Sequence, residues 1–144
     1  MKLLKFALLG LFVAFVGAQL IRPGRTNPPS DPAHSFAAVA KPQPSTVAVI
    51  HRACRDCHSN ETVWPWYSRV APASWLVVRD VENGRRKLNF SEWHLYGPEM
   101  SQLKMGEACE QAKAGKMPLP FYTPLHPEAR ISPEDVKALC SGQP

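Results

Sequence analysis

The pentapeptide Cys54-Arg55-Asp56-Cys57-His58 constrains this chain more than any other feature. Two residues between the cysteines bring both thiols to one side of a helical turn, and the histidine follows at once. Covalent attachment of a c-type haem requires this spacing: each thiol forms a thioether with a vinyl group, and the imidazole meets the iron. The second ring N–H is expected to donate to a backbone carbonyl, which fixes the ring's orientation. A buried haem adds a large apolar surface to the core, so folding and cofactor attachment are expected to be coupled.

A bare C-x-x-C also reads as half of a zinc site or as a thioredoxin-like redox pair, and His58 carries much of the discrimination. No second C-x-x-C exists. The other candidate zinc ligands, Cys109, Cys140, His94 and His126, are scattered without short metal-ligand spacing. A thioredoxin-like arrangement needs a strand before the motif and a βαβ pattern after it, and neither is visible.

Lys2 and Lys5 precede an apolar run from Phe6 to Ile21, interrupted only by Gly10, Gly17 and Gln19. Such a run is an export signal or a short membrane anchor. As a helix it spans roughly 24 Å, so it would cross a hydrocarbon core only with local thinning. Val16-Gly17-Ala18 offers a small-residue cleavage site. Retention as an anchor is the expectation, with Lys2 and Lys5 on the cytoplasmic side and removal left open. The domain is then placed on the periplasmic face of the inner membrane, or free in the periplasm if the segment is cut.

Three segments follow from composition: a signal or anchor over 1–21, a tether over 22–44 and a haem-binding domain over 45–144. The middle segment holds Pro23, Pro28, Pro29, Pro32, Pro42 and Pro44 among small and polar residues, which predicts an extended, semi-rigid spacer. The remaining stretch suffices for one modest core and hardly for two.

The domain reads as mostly α. Ser45 is a candidate cap for a helix through Val47 and Ile50 to Cys54. Pro72 opens a second helix carrying Trp75, Leu76, Val78 and Val81, with Gly84 as its stop. Pro98 to Ala114 is a third, closed by Gly115, and Ser132-Pro133-Glu134-Asp135 resembles a capping signature for the last. Alternating strand runs and internal repeats are absent from the sequence. Cys109 and Cys140 are the only thiols outside the motif, and in an exported chain an even remainder suggests a disulfide; two buried free cysteines are the other reading.

Five side chains compete for the sixth position on the iron. Met117, in Gly115-Lys116-Met117-Pro118, lies in a loop between two helices, where a thioether can swing over an open haem face and the proline stiffens the approach. Met100 and Met105 fall in the third helix, where packing is the usual role. His126 is the second candidate, although His126-Pro127 before a capped helix also suits a loop hydrogen bond. His51 sits one turn before Cys54 and is read as bordering the haem edge or facing solvent. An open sixth site stays as a third possibility.

Trp64-Pro65-Trp66-Tyr67-Ser68 is unusually aromatic, and a haem pocket needs flat apolar walls with a few donors. Trp64, Trp66, Tyr67 and Arg69 are therefore candidate pocket residues and propionate donors, with an ordinary aromatic core cluster as the plainer alternative. The formal net charge is +5; without Lys2 and Lys5, 15 basic side chains stand against 12 acidic ones. Arg85-Arg86-Lys87 is the one tight basic cluster, suited to steering an acidic redox partner or to closing a helix C-terminus. Nucleic acid is not implied.

The residues from Cys54 to Asn60, then Trp64-Pro65-Trp66-Tyr67-Ser68, Val70-Ala71-Pro72, Ser74-Trp75-Leu76, Asp80-Val81, Gly84-Arg85 and Leu88-Asn89-Phe90-Ser91-Glu92-Trp93 form one pattern. It continues through Lys116-Met117-Pro118, Tyr122 and Leu125-His126-Pro127-Glu128-Ala129, and resembles the bacterial haem-binding domain family. The resemblance implies a small exported cytochrome c-like domain with a single covalent haem c, often behind an N-terminal anchor. It implies attachment through Cys54 and Cys57, proximal ligation by His58 and distal ligation at the position of Met117. The Cys109 and Cys140 pair lies outside the family pattern.

Together these readings predict a membrane-tethered, monohaem electron carrier without catalytic residues, whose partners are periplasmic or membrane redox proteins. A haem-based sensor or gas-binding module, a peroxidase-like enzyme using His126, and a haem-bearing subunit of a larger membrane complex are the rival functions.

Overall fold

A computed structural model describes residues 1–142, and among them only helices and connecting loops occur. Seven α-helices follow in order: α1 (Lys2–Ala18), α2 (Phe36–Ala40), α3 (Pro44–Ala53), α4 (Arg55–His58), α5 (Ala73–Lys87), α6 (Pro98–Lys113) and α7 (Pro133–Ser141). Four short 3-10 turns, at Pro32–His34, Trp66–Arg69, Phe90–Leu95 and Pro127–Ala129, link them.

The terminal helix forms as its sequence requires. Ser132 Oγ accepts the Asp135 backbone N–H while Asp135 accepts that of Ser132, a reciprocal cap. α6 begins at Pro98 and is closed by Gly115, whose φ of 64° suits a residue without a side chain. α3 begins at Pro44 rather than Ser45, and the preceding Gln43 makes no side-chain cap. α5 passes through Gly84 to Lys87 instead of stopping there.

The core gathers Phe36, Ile50, Leu88, Phe90, Trp93, Met105, Ala112 and Leu139 from five helices and turns. Phe36 packs edge-on against Trp93 at 4.7 Å and Phe90 at 5.5 Å, while Phe90 and Trp93 lie parallel. α7 lies on α3 through Thr46, whose hydroxyl donates to the Ala138 carbonyl at 2.8 Å, and Gly142 lets the chain pass Thr46 closely. Cys109 and Cys140 are joined as a disulfide, tying α6 to α7.

The segment 22–44, expected to be a spacer standing free of the domain, lies against it instead. Arg25 donates to the Ser68 carbonyl, Asn27 to the Thr62 carbonyl, and the Pro29 carbonyl accepts from Asn60. Phe36 is only 2% exposed, burial that stabilises by about 2 kcal/mol. The segment is not extended throughout either, since Pro32–His34 forms a 3-10 turn and Phe36–Ala40 is helical, and the polar side chains between the prolines supply hydrogen bonds that lay it down. α1 is the element that stands apart. Apart from Lys2 and Lys5 its residues are apolar, none of them is buried, and among the described residues no helix is long and apolar enough to cross a membrane.

Candidate functional site

α3 hands directly into the attachment motif. The Cys54 N–H still donates to the Ile50 carbonyl, the chain bends at Cys54, and the N–H groups of Cys57 and His58 both return to the Cys54 carbonyl at 3.2 and 2.9 Å. One short helical turn thus presents Cys54, Cys57 and His58, none of them fully buried. Both thiols are free of disulfide bonding.

The turn is pressed onto α5. A methyl group built on Gly84 would meet the Cys57 carbonyl oxygen at 2.3 Å, so only glycine admits this approach. The sequence shows Gly84 plainly but suggests a helix stop; the signal that distinguishes the two is the apolar spacing Val78-Val81, which runs on into it. Arg85, one residue on, donates through Nε to the Ser59 carbonyl and through its terminal nitrogens to Thr26, Asn27 and Thr62. It is consumed inside the molecule rather than displayed to a partner.

His58 Nδ1 lies 3.1 Å from the Leu88 carbonyl. A carbonyl only accepts, so Nδ1 carries the proton and Nε2 keeps a free lone pair. Burial lowers the His58 pKa, which keeps the ring neutral. A neutral imidazole oriented through Nδ1 has the form a metal ligand takes.

Two adjoining cavities, about 470 and 310 Å³, are both lined by Cys54, His58, Lys87, Met117 and Pro118. The larger is walled by Val49, Leu88, Phe90, Ala108, Ala112 and Leu139, with Lys104, Glu107 and Gln111 at its polar edge. The smaller adds Cys57, Asp56, Asp80 and Tyr122. Met117 reaches them because α6 ends in a fixed turn: the Gln111 carbonyl accepts the N–H groups of both Lys116 and Met117.

The remaining candidates sit elsewhere. Trp64 donates through Nε1 to Asn27, Trp66 is 76% exposed, and Arg69 faces solvent. Tyr67 lines a separate apolar groove beside Cys57 and bonds His126 Nε2 at 2.7 Å. None of the four lines the cavities shared by His58 and Met117; the 3-10 turn that carries Trp66, Tyr67 and Arg69 packs on α5. His126 is committed to Tyr67 and to Glu128 at 3.0 Å, and stacks on Tyr122, which donates to Asp56. His51 bonds Arg55, and His94 stacks on His34. Gly84, Arg85, Lys87 and Leu88, which the sequence suggests for other roles, and Lys104 do more to shape the site than the aromatic run.

The thiols themselves argue against dithiol exchange. Burial pushes Cys54 up to about 12 and Cys57 to about 11, whereas exchange needs a thiolate near neutral pH. Of the other zinc candidates, Cys109 and Cys140 are joined to each other, His94 stacks on His34 and His126 is bonded to Tyr67 and Glu128, and among the described residues no group of three or more His, Cys, Asp or Glu side chains could hold a metal ion.

The chain matches the family described as Haem-binding domain across residues 13–143. It belongs to that family. No curated protein and no solved structure matches the chain. The haem-binding domain therefore extends N-terminal of Ser45, in keeping with the packing of residues 22–44 on the head. The site also fits a haem on its own chemistry: apolar walls, a neutral histidine with one free nitrogen and a thioether on the same cavities.

Proposed function

We propose that this haem-binding domain is an exported c-type cytochrome, attached to the periplasmic side of the inner membrane, that carries one covalent haem and passes single electrons between redox proteins. The observation that carries the reading is the sharing of both cavities by His58, Met117 and Cys54, with Cys57 beside them. When bound, the haem supplies a one-electron iron couple.

The chain's own residues do the rest. Cys54 and Cys57 would hold the group covalently. His58 offers Nε2 while Leu88 fixes its ring through Nδ1. Met117 offers a thioether from a turn held by Gln111, and such a ligand favours a fairly high potential. Phe90, Leu88 and Leu139 keep water from the apolar walls, so little rearrangement accompanies a change in charge. No side chain is placed for substrate turnover in this reading. Partners dock in a small and transient interface, with Lys87 and Lys104 at the cavity rim available for steering.

The test is the optical spectrum of the protein matured in a bacterial periplasm, ferric and ferrous, with and without carbon monoxide, after confirming that haem survives denaturation. The expected result is a low-spin ferrous spectrum indifferent to carbon monoxide, together with the ferric band of methionine ligation. Met117→Ala should open the iron to carbon monoxide and lower the potential. A carbon-monoxide-responsive wild-type spectrum would turn the reading toward gas binding or sensing, and absence of covalent haem would end it.

A further inference from the structure

The apolar helix α1 does not lead into a loose linker. Gln19, the first residue after it, forms a two-way clasp with Ala71: its Nε2 donates to the Ala71 carbonyl at 3.2 Å and its Oε1 accepts the Ala71 N–H at 3.0 Å. Two residues later the Ile21 carbonyl accepts the Trp75 indole N–H at 2.9 Å. The head is thus pinned at the point where the helix ends.

Around that point the surface is apolar and basic. Trp66, Val70, Trp75 and Leu76 are all exposed large side chains. Arg25, bonded to the Ser68 carbonyl, ties the basic stretch to the same turn that carries Trp66, and Arg22 and Arg69 are exposed. No acidic residue occurs from Met1 to Ser30 or from Thr62 to Arg79. Indole rings beside arginines, without carboxylates, suit the headgroup layer of an anionic bilayer.

The length of α1 makes the contact necessary if it is inserted. Its 17 residues span about 25 Å, against a hydrocarbon core of roughly 30 Å. A shortfall of that size is met by drawing the flanking residues into the interface, and here the flanking residues are clasped to the head. The geometry points to a fixed seat: the face formed by Trp66, Val70, Trp75 and Leu76 rests in the headgroup region of an anionic phospholipid bilayer, with Arg22, Arg25 and Arg69 among the phosphates. This rests on the membrane attachment proposed above and replaces a swinging tether with a set orientation. Lys87, at the cavity rim, stands about 18 Å from Trp75 along α5.

The test places single cysteines in the full, haem-loaded chain in vesicles of phosphatidylcholine with added phosphatidylglycerol, and measures their rates with a charged maleimide. Haem attachment and the Cys109–Cys140 disulfide leave the introduced thiol as the reactive one. Trp66→Cys and Leu103→Cys replace residues 76% and 53% exposed, which would react alike in water. The expected result is at least about tenfold slower reaction at Trp66→Cys and Val70→Cys than at Leu103→Cys, with Leu9→Cys fully protected and the protection at Trp66→Cys weakened in vesicles of phosphatidylcholine alone. Equal rates at the three head positions with Leu9→Cys protected would overturn the seat and leave the anchor standing. A reactive Leu9→Cys would remove membrane attachment itself, and the seat with it. Protection that follows protein density rather than lipid composition would assign the face to a second copy of the chain and overturn the proposal.

Discussion

On the Cys54–His58 side of the cavity, α4 is held to α5 by a backbone approach that only Gly84 permits and by the Arg85 bond to Ser59, while the other three hydrogen bonds of Arg85 gather Thr26, Asn27 and Thr62 onto α5. Asn60 adds a second polar knot, donating to Pro29 and Glu92 and accepting from Asn89. On the opposite side, α6 and α7 meet the cavity with Ala108, Ala112 and Leu139 and are joined to each other by a disulfide. One wall is specified by directional contacts and the other by bulk and a covalent clasp. The difference follows from what each must do. In the proposed cytochrome, Cys54, Cys57 and His58 keep a set geometry with one another, whereas the far wall excludes water and carries Met117.

The comparison is broken most directly at Gly84. Gly84→Ala places a methyl group against the Cys57 carbonyl, and because the clash is with backbone, α4 or α5 must shift. A loss of about 2–3 kcal/mol is expected despite the higher helix propensity of alanine, with a large fall in the yield of covalent haem. Pigment per milligram of purified protein measures it, and a normally pigmented variant of wild-type stability would show that the two walls do not differ as described.

The disulfide tests the other side. Replacing Cys109 and Cys140 together by serine releases a 31-residue separation and should cost about 3 kcal/mol by chemical unfolding. The haem spectrum of the folded variant should stay unchanged. A shifted spectrum would mean that the disulfide, and not the Gln111 turn alone, sets the place of Met117.

How much of this was legible beforehand divides along the same line. The capping box at Ser132 and the glycine closing α6 are encoded within a few residues, so local spacing sufficed. Arg85 looked like surface charge because its acceptors, Thr26, Asn27, Ser59 and Thr62, are 23 to 59 residues away. The proline-rich stretch read as a spacer since composition reports backbone stiffness and not what the intervening side chains will bond. The aromatic run at 64–67 misled for a related reason: aromatic content marks apolar surface, and only the packing of its turn on α5 decides which way that surface faces.

Arg85 offers a finer cut through the attachment wall. Arg85→Gln keeps a donor but loses the fork that joins four acceptors, and should destabilise by about 2 kcal/mol, since carbonyls of Ser59 and Thr26 lose their partner. Unlike the disulfide variant, it should also alter the haem spectrum or its pH range, because Ser59 directly follows His58. Limited proteolysis between residues 22 and 30 should accelerate in parallel, as Thr26 and Asn27 are released.

The smallest effect lies where α3 meets α7. Arg52 donates to the Glu128 and Arg130 carbonyls and pairs with Asp135 at 2.5 Å, and this hydrogen bond, followed by the Ser132 N–H, holds the Asp135 carboxyl below its ordinary value of 3.8. A carboxyl depressed by folding contributes stability above its unfolded pKa and loses it as the pH falls below that value. The pair is partly exposed and screened, so its contribution is expected to be under about 1 kcal/mol. Asp135→Asn should accordingly lower stability slightly at neutral pH and flatten its decline on acidification below about pH 4, read from urea midpoints across that range. Because the contact braces α7 rather than α4, the variant's haem spectrum at neutral pH should match the wild type. A spectral change there would place the far wall, too, among the elements that set the geometry of His58.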